Sequence, residues 1–153
     1  MTEPDTTIGS ALVLTERVAA PPEAVFDFLV DPEKVLRWMG TEIDIEPQPG
    51  GKFWLNVNGS DIAVGSYTEV DPPRRVSFTW GWHGSDDVPP GSSNVTITLT
   101  PDGTHTILEL RHAGLPRGAD DEHVKGWTHF LPRLTAVAEG RDPGSDGHEV
   151  DRP

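Results

Sequence analysis

The chain contains no cysteine. That excludes a disulfide framework, a thiolate nucleophile and any cysteine metal site, and it fits a reducing, cytoplasmic setting. Positive charge is also scarce: 12 Lys and Arg stand against 25 Asp and Glu, for a formal net charge of −13, and no basic run offsets it. Binding to nucleic acid or to an anionic membrane surface relies on clustered cations, so neither is expected. No stretch approaches the ~18 consecutive apolar residues of a membrane span, and Met1 to Gly9 is acidic and polar, so neither membrane insertion nor a secretory signal is expected. Also missing are the H-E-x-x-H pair, a Gly-rich phosphate loop, and a nucleophile-elbow setting for Ser60, Ser66, Ser77, Ser85, Ser92 or Ser93. No cofactor and no metal site is implied. His83, His112 and His123 are the only trio placed to converge, and their separations match no ligand motif.

What is present suffices for one core. A chain of 153 residues supports a single domain, and five Trp and five Phe concentrate burial in few positions although only 35% of residues are hydrophobic. The strongest periodic signal runs from Asp120 to Glu139. There Val124, Trp127, Leu131, Leu134 and Ala138 recur at steps of three and four, and Phe130 and Val137 widen the stripe into one broad apolar face. Asp120, Asp121 and Glu122 supply a capping side chain and negative charge at its start, and Gly140 is placed to end it. Pro132 falls roughly 140° from Trp127, on the outer face, where its ring bends the helix toward whatever the stripe covers.

Upstream, residues 1–7 read as a flexible leader, and Ile8 to Val18 alternates as a first strand. Pro21-Pro22-Glu23 and Asp31-Pro32-Glu33 each open a short helix, because proline at a helix start has its φ preset and needs no N–H partner. From Ile43 the period drops to two. Ile43 and Ile45, then Phe53, Leu55 and Val57, then Ile62 to Val70, form strands separated by Pro47-Gln48-Pro49-Gly50-Gly51 and by the hairpin signal Asn58-Gly59. Val76, Phe78, Trp80 and Trp82 fall on one face of the next strand. His83 to Ser93 is polar and rich in breakers, hence a long surface loop and a candidate rim or lid. Val95, Ile97 and Leu99 resume the alternation, and Thr106, Leu108, Leu110 and His112 share one face of the last strand. After Gly140, residues 141–153 read as a disordered acidic tail. The expected architecture is α+β: a curved, mostly antiparallel sheet of six to seven strands gripping one long C-terminal helix, with two short helices after the first strand, as a single domain over residues 8–140.

In this order of elements, Ala20-Pro21-Pro22-Glu23, Asp31-Pro32, Arg37-Trp38, Pro49-Gly50-Gly51, Val70-Asp71-Pro72-Pro73-Arg74, Thr79-Trp80 and Gly126-Trp127 resemble the START-like helix-grip (SRPBCC) superfamily. Within it the likeness is greatest to bacterial proteins similar to the C-terminal domain of the activator of the ninety-kilodalton heat-shock-protein ATPase. It spans about Ala11 to Glu139, with two departures: Met39 stands where a second aromatic often follows the Trp, and Pro132 lies inside the final helix. Members of the superfamily bind lipids, sterols, polyketides and aromatic hormones, and some are cyclases or hydrolases. The resemblance therefore implies a hydrophobic cavity between the inner sheet face and the long helix. Its candidate lining is Trp38, Phe53, Leu55, Val57, Phe78, Trp80, Trp82, Ile97, Leu108, Leu110, His112, Trp127, Phe130, Leu131 and Leu134, each of which is equally at home in a plain core.

Catalysis needs a reactive group on that inner face. His129 projects outward on the helix wheel, His105 sits at a turn and His148 in the tail, while His83 and His123 stand near the mouth. His112 alone points inward, as a general base, a polar handle for a ligand, or a core histidine satisfied by its neighbours. Arg37 beside Trp38 is placed either for an anionic ligand group or for a surface ion pair. The favoured function is binding of a small hydrophobic molecule, aromatic, polyketide-like or lipid-like. The alternatives are a cyclase- or hydrolase-type enzyme using His112 as acid or base, and a chaperone-linked interaction protein. The length leaves no room for the activator's separate N-terminal domain, so a chaperone partner is not expected, and a homodimer remains open.

Overall fold

A computed structural model describes residues 11–116 and 118–144. The expected leader, the start of the first strand at Ile8 and the tail from residue 145 onward lie outside these residues. Strand β1 (Leu12–Val18) leads into helices α1 (Pro22–Val30) and α2 (Pro32–Val35). Both helices open on proline, and Asp31 between them accepts at Oδ1 from the Glu33 and Lys34 backbone N–H groups at 3.0 and 3.4 Å, capping α2. Strands β2 (Glu42–Ile45), β3 (Lys52–Asn56), β4 (Ile62–Asp71), β5 (Arg75–Trp80), β6 (Ser93–Asp102) and β7 (His105–Ala113) follow, and the chain closes with α3 (Asp120–Ala138).

The seven strands form one antiparallel sheet in the order β1-β7-β6-β5-β4-β3-β2. Hairpin-linked neighbours pair along most of it, and the single long-range closure sets β1 against β7, with Leu12 opposite His112 and Glu16 opposite Leu108. A register shift between Tyr67 and Glu69 adds the extra twist that helps curl the sheet. Alternation then decides the faces. Thr106, Leu108, Leu110 and His112 are all fully buried on the concave side, with Val95, Ile97 and Leu99 of β6 beside them.

Helix α3 covers that concave side and is pinned by polar contacts at its C-terminal half. Thr135 Oγ1 donates to Glu16 Oε1 at 2.9 Å, Glu139 Oε2 accepts from the Ala19 N–H at 2.7 Å, and Arg133 Nε donates to the Trp38 carbonyl at 3.1 Å. Pro132 is exposed on the outer face as expected. Gly140 takes a left-handed φ of 83° and lets the Arg141 N–H turn back to the Ala136 carbonyl at 2.7 Å, ending the helix.

Four expectations are corrected. Val124 is 37% exposed while His123 is buried at 9%, because Trp127, Phe130, Leu131 and Leu134 centre the stripe where the residue four before Trp127, not three, completes it. The start of α3 carries no N-cap side chain: Ala119 occupies that position with helical dihedrals, so the acids act through the helix dipole and through Asp120 Oδ1, which accepts from the Asp121 N–H at 3.1 Å. Trp82 lies past the end of β5 and meets the sheet through an isolated bridge to Ala63. The loop accordingly begins at Gly81, where a Cβ would sit 1.8 Å from the Pro89 carbonyl oxygen; only glycine lets the segment fold back so closely.

Candidate functional site

The space between sheet and helix is filled by the protein's own side chains. Phe53 and Phe78 stack at 4.3 Å and 13°, and Tyr67 sets its edge against both at 5.9 and 5.8 Å. Leu55, Leu108, Leu110, Leu131 and Leu134 are buried around them. What remains between Trp38, Phe53, Phe78, Ile97 and Trp127 is a void of about 20 Å³, room for one water at most.

Open space lies instead along one flank of α3, as a cleft of about 850 Å³. Three elements build it. The sheet gives Trp80 and, just past β5, Trp82; the first half of α3 gives Glu122, His123, Lys125, Gly126, Trp127, His129 and Phe130; and the β3–β4 hairpin, with Met39, closes the far side through Val57, Asn58 and Asp61. The hairpin is held in shape because Asn58 Oδ1 accepts from the Ser60 and Asp61 N–H groups while its amide donates to Asp61 Oδ2 at 2.8 Å. The floor is apolar and the rim polar, the usual division of a small-molecule site.

Of the residues considered in the sequence, Val57, Trp80, Trp82, Trp127 and Phe130 meet at this cleft. Trp38, Phe53, Leu55, Phe78, Ile97, Leu108, Leu110, Leu131 and Leu134 lie in the closed core. His112 is fully buried behind the indoles of Trp80 and Trp127. His129 is not fully outward as the wheel placed it: it is half-buried, lines the cleft, and meets Phe130 ring to ring at 4.7 Å. Arg37 lies over the Phe28 ring, 5.7 Å from its centroid. His83 is exposed, and among the described residues no group of three His, Asp or Glu is arranged to hold a metal. Sequence reasoning named Met39 only as a departure from the family pattern and did not single out Asn58, Asp61, Glu122, Lys125 or Gly126 for this site. Only the i, i+4 spacing of His123 and Trp127 offered a readable signal there.

Behind the floor, three indoles and two imidazoles form one cluster. Trp80 meets Trp82 at 5.2 Å and Trp127 at 5.3 Å, and the rings of His112 and His123 meet edge to face at 5.1 Å. Hydrogen bonds assign both histidines a tautomer. Trp127 Nε1 lies 3.1 Å from His112 Nδ1, and an indole N–H can only donate, so Nδ1 carries the lone pair and Nε2 the proton. His112 Nε2–H therefore donates to Ser93 Oγ at 2.8 Å, and Ser93 in turn donates to the Trp80 carbonyl at 2.7 Å. Burial, reinforced by His123 nearby, pulls the His112 pKa down to about 3. A Ser–His pair at this distance invites comparison with a nucleophile and its base, but the proton sits on the wrong nitrogen and the serine proton is already given to a carbonyl. His112 is a neutral core histidine with both nitrogens occupied by the protein.

Among the described residues, the buried polar atoms Tyr67 Oη and Trp80 Nε1 have no hydrogen-bond partner. Burial alone raises the Tyr67 pKa above its ordinary value, keeping the phenol protonated.

A curved antiparallel sheet wrapped on one long C-terminal helix, with two short helices after β1 and a cleft at the helix flank, defines a START-like helix-grip protein. More closely, residues 19–139 match the family described as Activator of Hsp90 ATPase homolog 1-like protein, and the chain belongs to that family. Among solved structures, an AHSA1-like protein from Rhizobium etli is 51% identical, with 90% of this chain and 88% of that chain covered and a TM-score of 0.69. An HSP90 activator from Plasmodium falciparum is 26% identical over 85% of this chain and 96% of that chain, with a TM-score of 0.70. DynU16, from the dynemicin biosynthetic locus, is 25% identical over 89% of this chain and half of its own, with a TM-score of 0.75. No curated protein matches the sequence. Among the described residues no helix is long and apolar enough to cross a membrane.

Proposed function

We propose that this protein binds a small hydrophobic molecule, aromatic, polyketide-like or lipid-like, in the cleft along α3. The observation that carries the reading is the contrast within the fold: the interior is packed shut, while a cleft of about 850 Å³ is left floored by Trp80, Trp82, Trp127, Phe130, Val57 and Met39. An open apolar floor with Asn58, Asp61, Glu122 and Lys125 at its edge orients a molecule that has one greasy and one polar side. The similar fold of DynU16, a protein in the dynemicin biosynthetic locus, is in keeping with the same ligand class. The enzyme reading with His112 as acid or base finds no support in the ring's tautomer, and no described feature favours chaperone docking over the cleft.

Gly126 provides the test. It lines the cleft within α3, and a Cβ built there meets nothing within 4 Å. Gly126→Phe therefore places a ring in the cleft without disturbing the core. Nile red binding to the wild type, followed by quenching of Trp emission, should be weakened by about tenfold or more in this variant with no loss of thermal stability. Unchanged affinity would place the dye elsewhere and remove the reading.

A further inference from the structure

The wall of the cleft contains a second Trp–His pair that the packing of the core does not require. Trp82 lies beyond β5, half-buried, and is held at three points. Its backbone N–H donates to the Val88 carbonyl at 2.7 Å, its backbone bridges to Ala63, and its indole N–H donates to His123 Nε2 at 3.0 Å. The last contact spans the cleft's end, joining the segment after β5 to the first turn of α3. It has a chemical condition. His123 must present a lone pair at Nε2, and its proton must sit on Nδ1, which faces the Ala119 carbonyl at 2.8 Å. Neither bond survives the other tautomer.

We propose that the Trp82–His123 hydrogen bond is a proton-operated latch on the cleft: neutral His123 holds Trp82 in the wall, and protonation at Nε2 releases the indole and weakens ligand binding. Adding a proton there sets two donors face to face at hydrogen-bond distance, and His123 has no second acceptor to offer because Nδ1–H is committed to Ala119. Trp82 is less enclosed than the other two indoles of the cluster. Trp80 and Trp127 are 3% exposed and fixed in the cluster, whereas Trp82 is half-buried at the start of the Gly81 to Ser92 loop. The inference rests on reading the cleft as a hydrophobic-ligand site.

The groups around His123 are known by element. From the sheet comes His112, whose ring stays uncharged down to about pH 3 and so does not titrate alongside it. The β3–β4 hairpin contributes Asp61, which lines the same cleft. The helix itself contributes Asp120, Asp121, Glu122, Lys125 and His129.

The test compares Nile red, a neutral dye, at about pH 8 and pH 5. The ratio of the two affinities is the readout, whatever the absolute affinity of a variant. The wild type should bind about 3- to 10-fold more weakly in acid, the worth of one hydrogen bond that positions the wall. In His123→Gln the side-chain amide oxygen accepts from the indole without titrating, so the ratio should stay within about twofold. His83→Gln, an exposed position outside the cleft lining, should keep the wild-type ratio. In parallel, nuclear magnetic resonance of the wild type should show the Trp82 indole N–H signal shifting with the same midpoint as the His123 ring and exchanging faster with solvent in acid. A Trp82 signal that ignores the His123 titration, or a His123→Gln protein that keeps the full acid loss, overturns the latch. Absence of Nile red binding at both pH values overturns the cleft reading itself and the regulation with it, whatever the Trp82 signal does.

Discussion

Trp127 Nε1 donates to His112 Nδ1 across 3.1 Å, tying the long helix to the last strand through a nitrogen that must stay unprotonated. Fifteen residues separate the two in sequence, so the bond exists only once α3 has docked. Replacing His112 by Leu keeps approximate bulk and orphans the Trp127 N–H, a loss of ~1–3 kcal/mol. We expect the melting temperature to fall by several degrees in differential scanning calorimetry, while Nile red affinity of the folded protein changes less than about twofold. A variant with unchanged melting and a large loss of affinity would make His112 a ligand handle instead.

The same ring makes stability depend on pH. Unfolded, it takes a proton near pH 6.5; folded, near pH 3. Between these values the unfolded chain holds more protons, so this contribution is fully present above about pH 6.5 and is lost as pH falls toward 3. The slope approaches about 1.4 kcal/mol per pH unit. Urea unfolding at about pH 7.5 and pH 4.5 should therefore show the advantage of wild type over His112→Leu falling by roughly 2–3 kcal/mol in acid, enough to close or reverse it. A constant gap would mean that the native ring titrates normally.

Ser93 is bonded on both sides, accepting from His112 Nε2–H and donating to the Trp80 carbonyl. Ser93→Ala orphans both partners, at a cost on the order of 2 kcal/mol. If Ser93 serves structure alone, combining it with His112→Leu should cost less than the sum of the two, because they share the same bonds. Strict additivity in chemical denaturation would contradict the connected chain.

Two glycines should answer alanine with opposite signs. Gly126 stands inside α3 with nothing within 4 Å of a Cβ, so Gly126→Ala should stabilise by about 0.5–1 kcal/mol through helix propensity. At Gly81 the same methyl would lie 1.8 Å from the Pro89 carbonyl oxygen. Gly81→Ala must push the 81–92 segment away and should destabilise by on the order of 2 kcal/mol or more. Thermal melts of the two variants check both signs at once.

Alternation along β7 sufficed to turn Thr106, Leu108, Leu110 and His112 inward, because period two leaves each strand only two choices of face. Likewise Pro22, Pro32 and Gly140 mark helix ends by their own dihedral preferences, and the stripe through Trp127, Leu131 and Leu134 marks the buried side of α3. These are local properties of the chain. Which inward side chains close the core and which border open space is not local: it depends on how far Phe53, Tyr67 and Phe78 from three strands fill the sheet's curve. The tertiary structure therefore moved the candidate site from beneath the helix to its flank. It exchanged Val124 for His123, a choice decided by the rotation at which α3 docks. Only there do Trp82 and His123, 41 residues apart, come within one hydrogen bond, and neither residue carries any trace of the other in its own sequence neighbourhood.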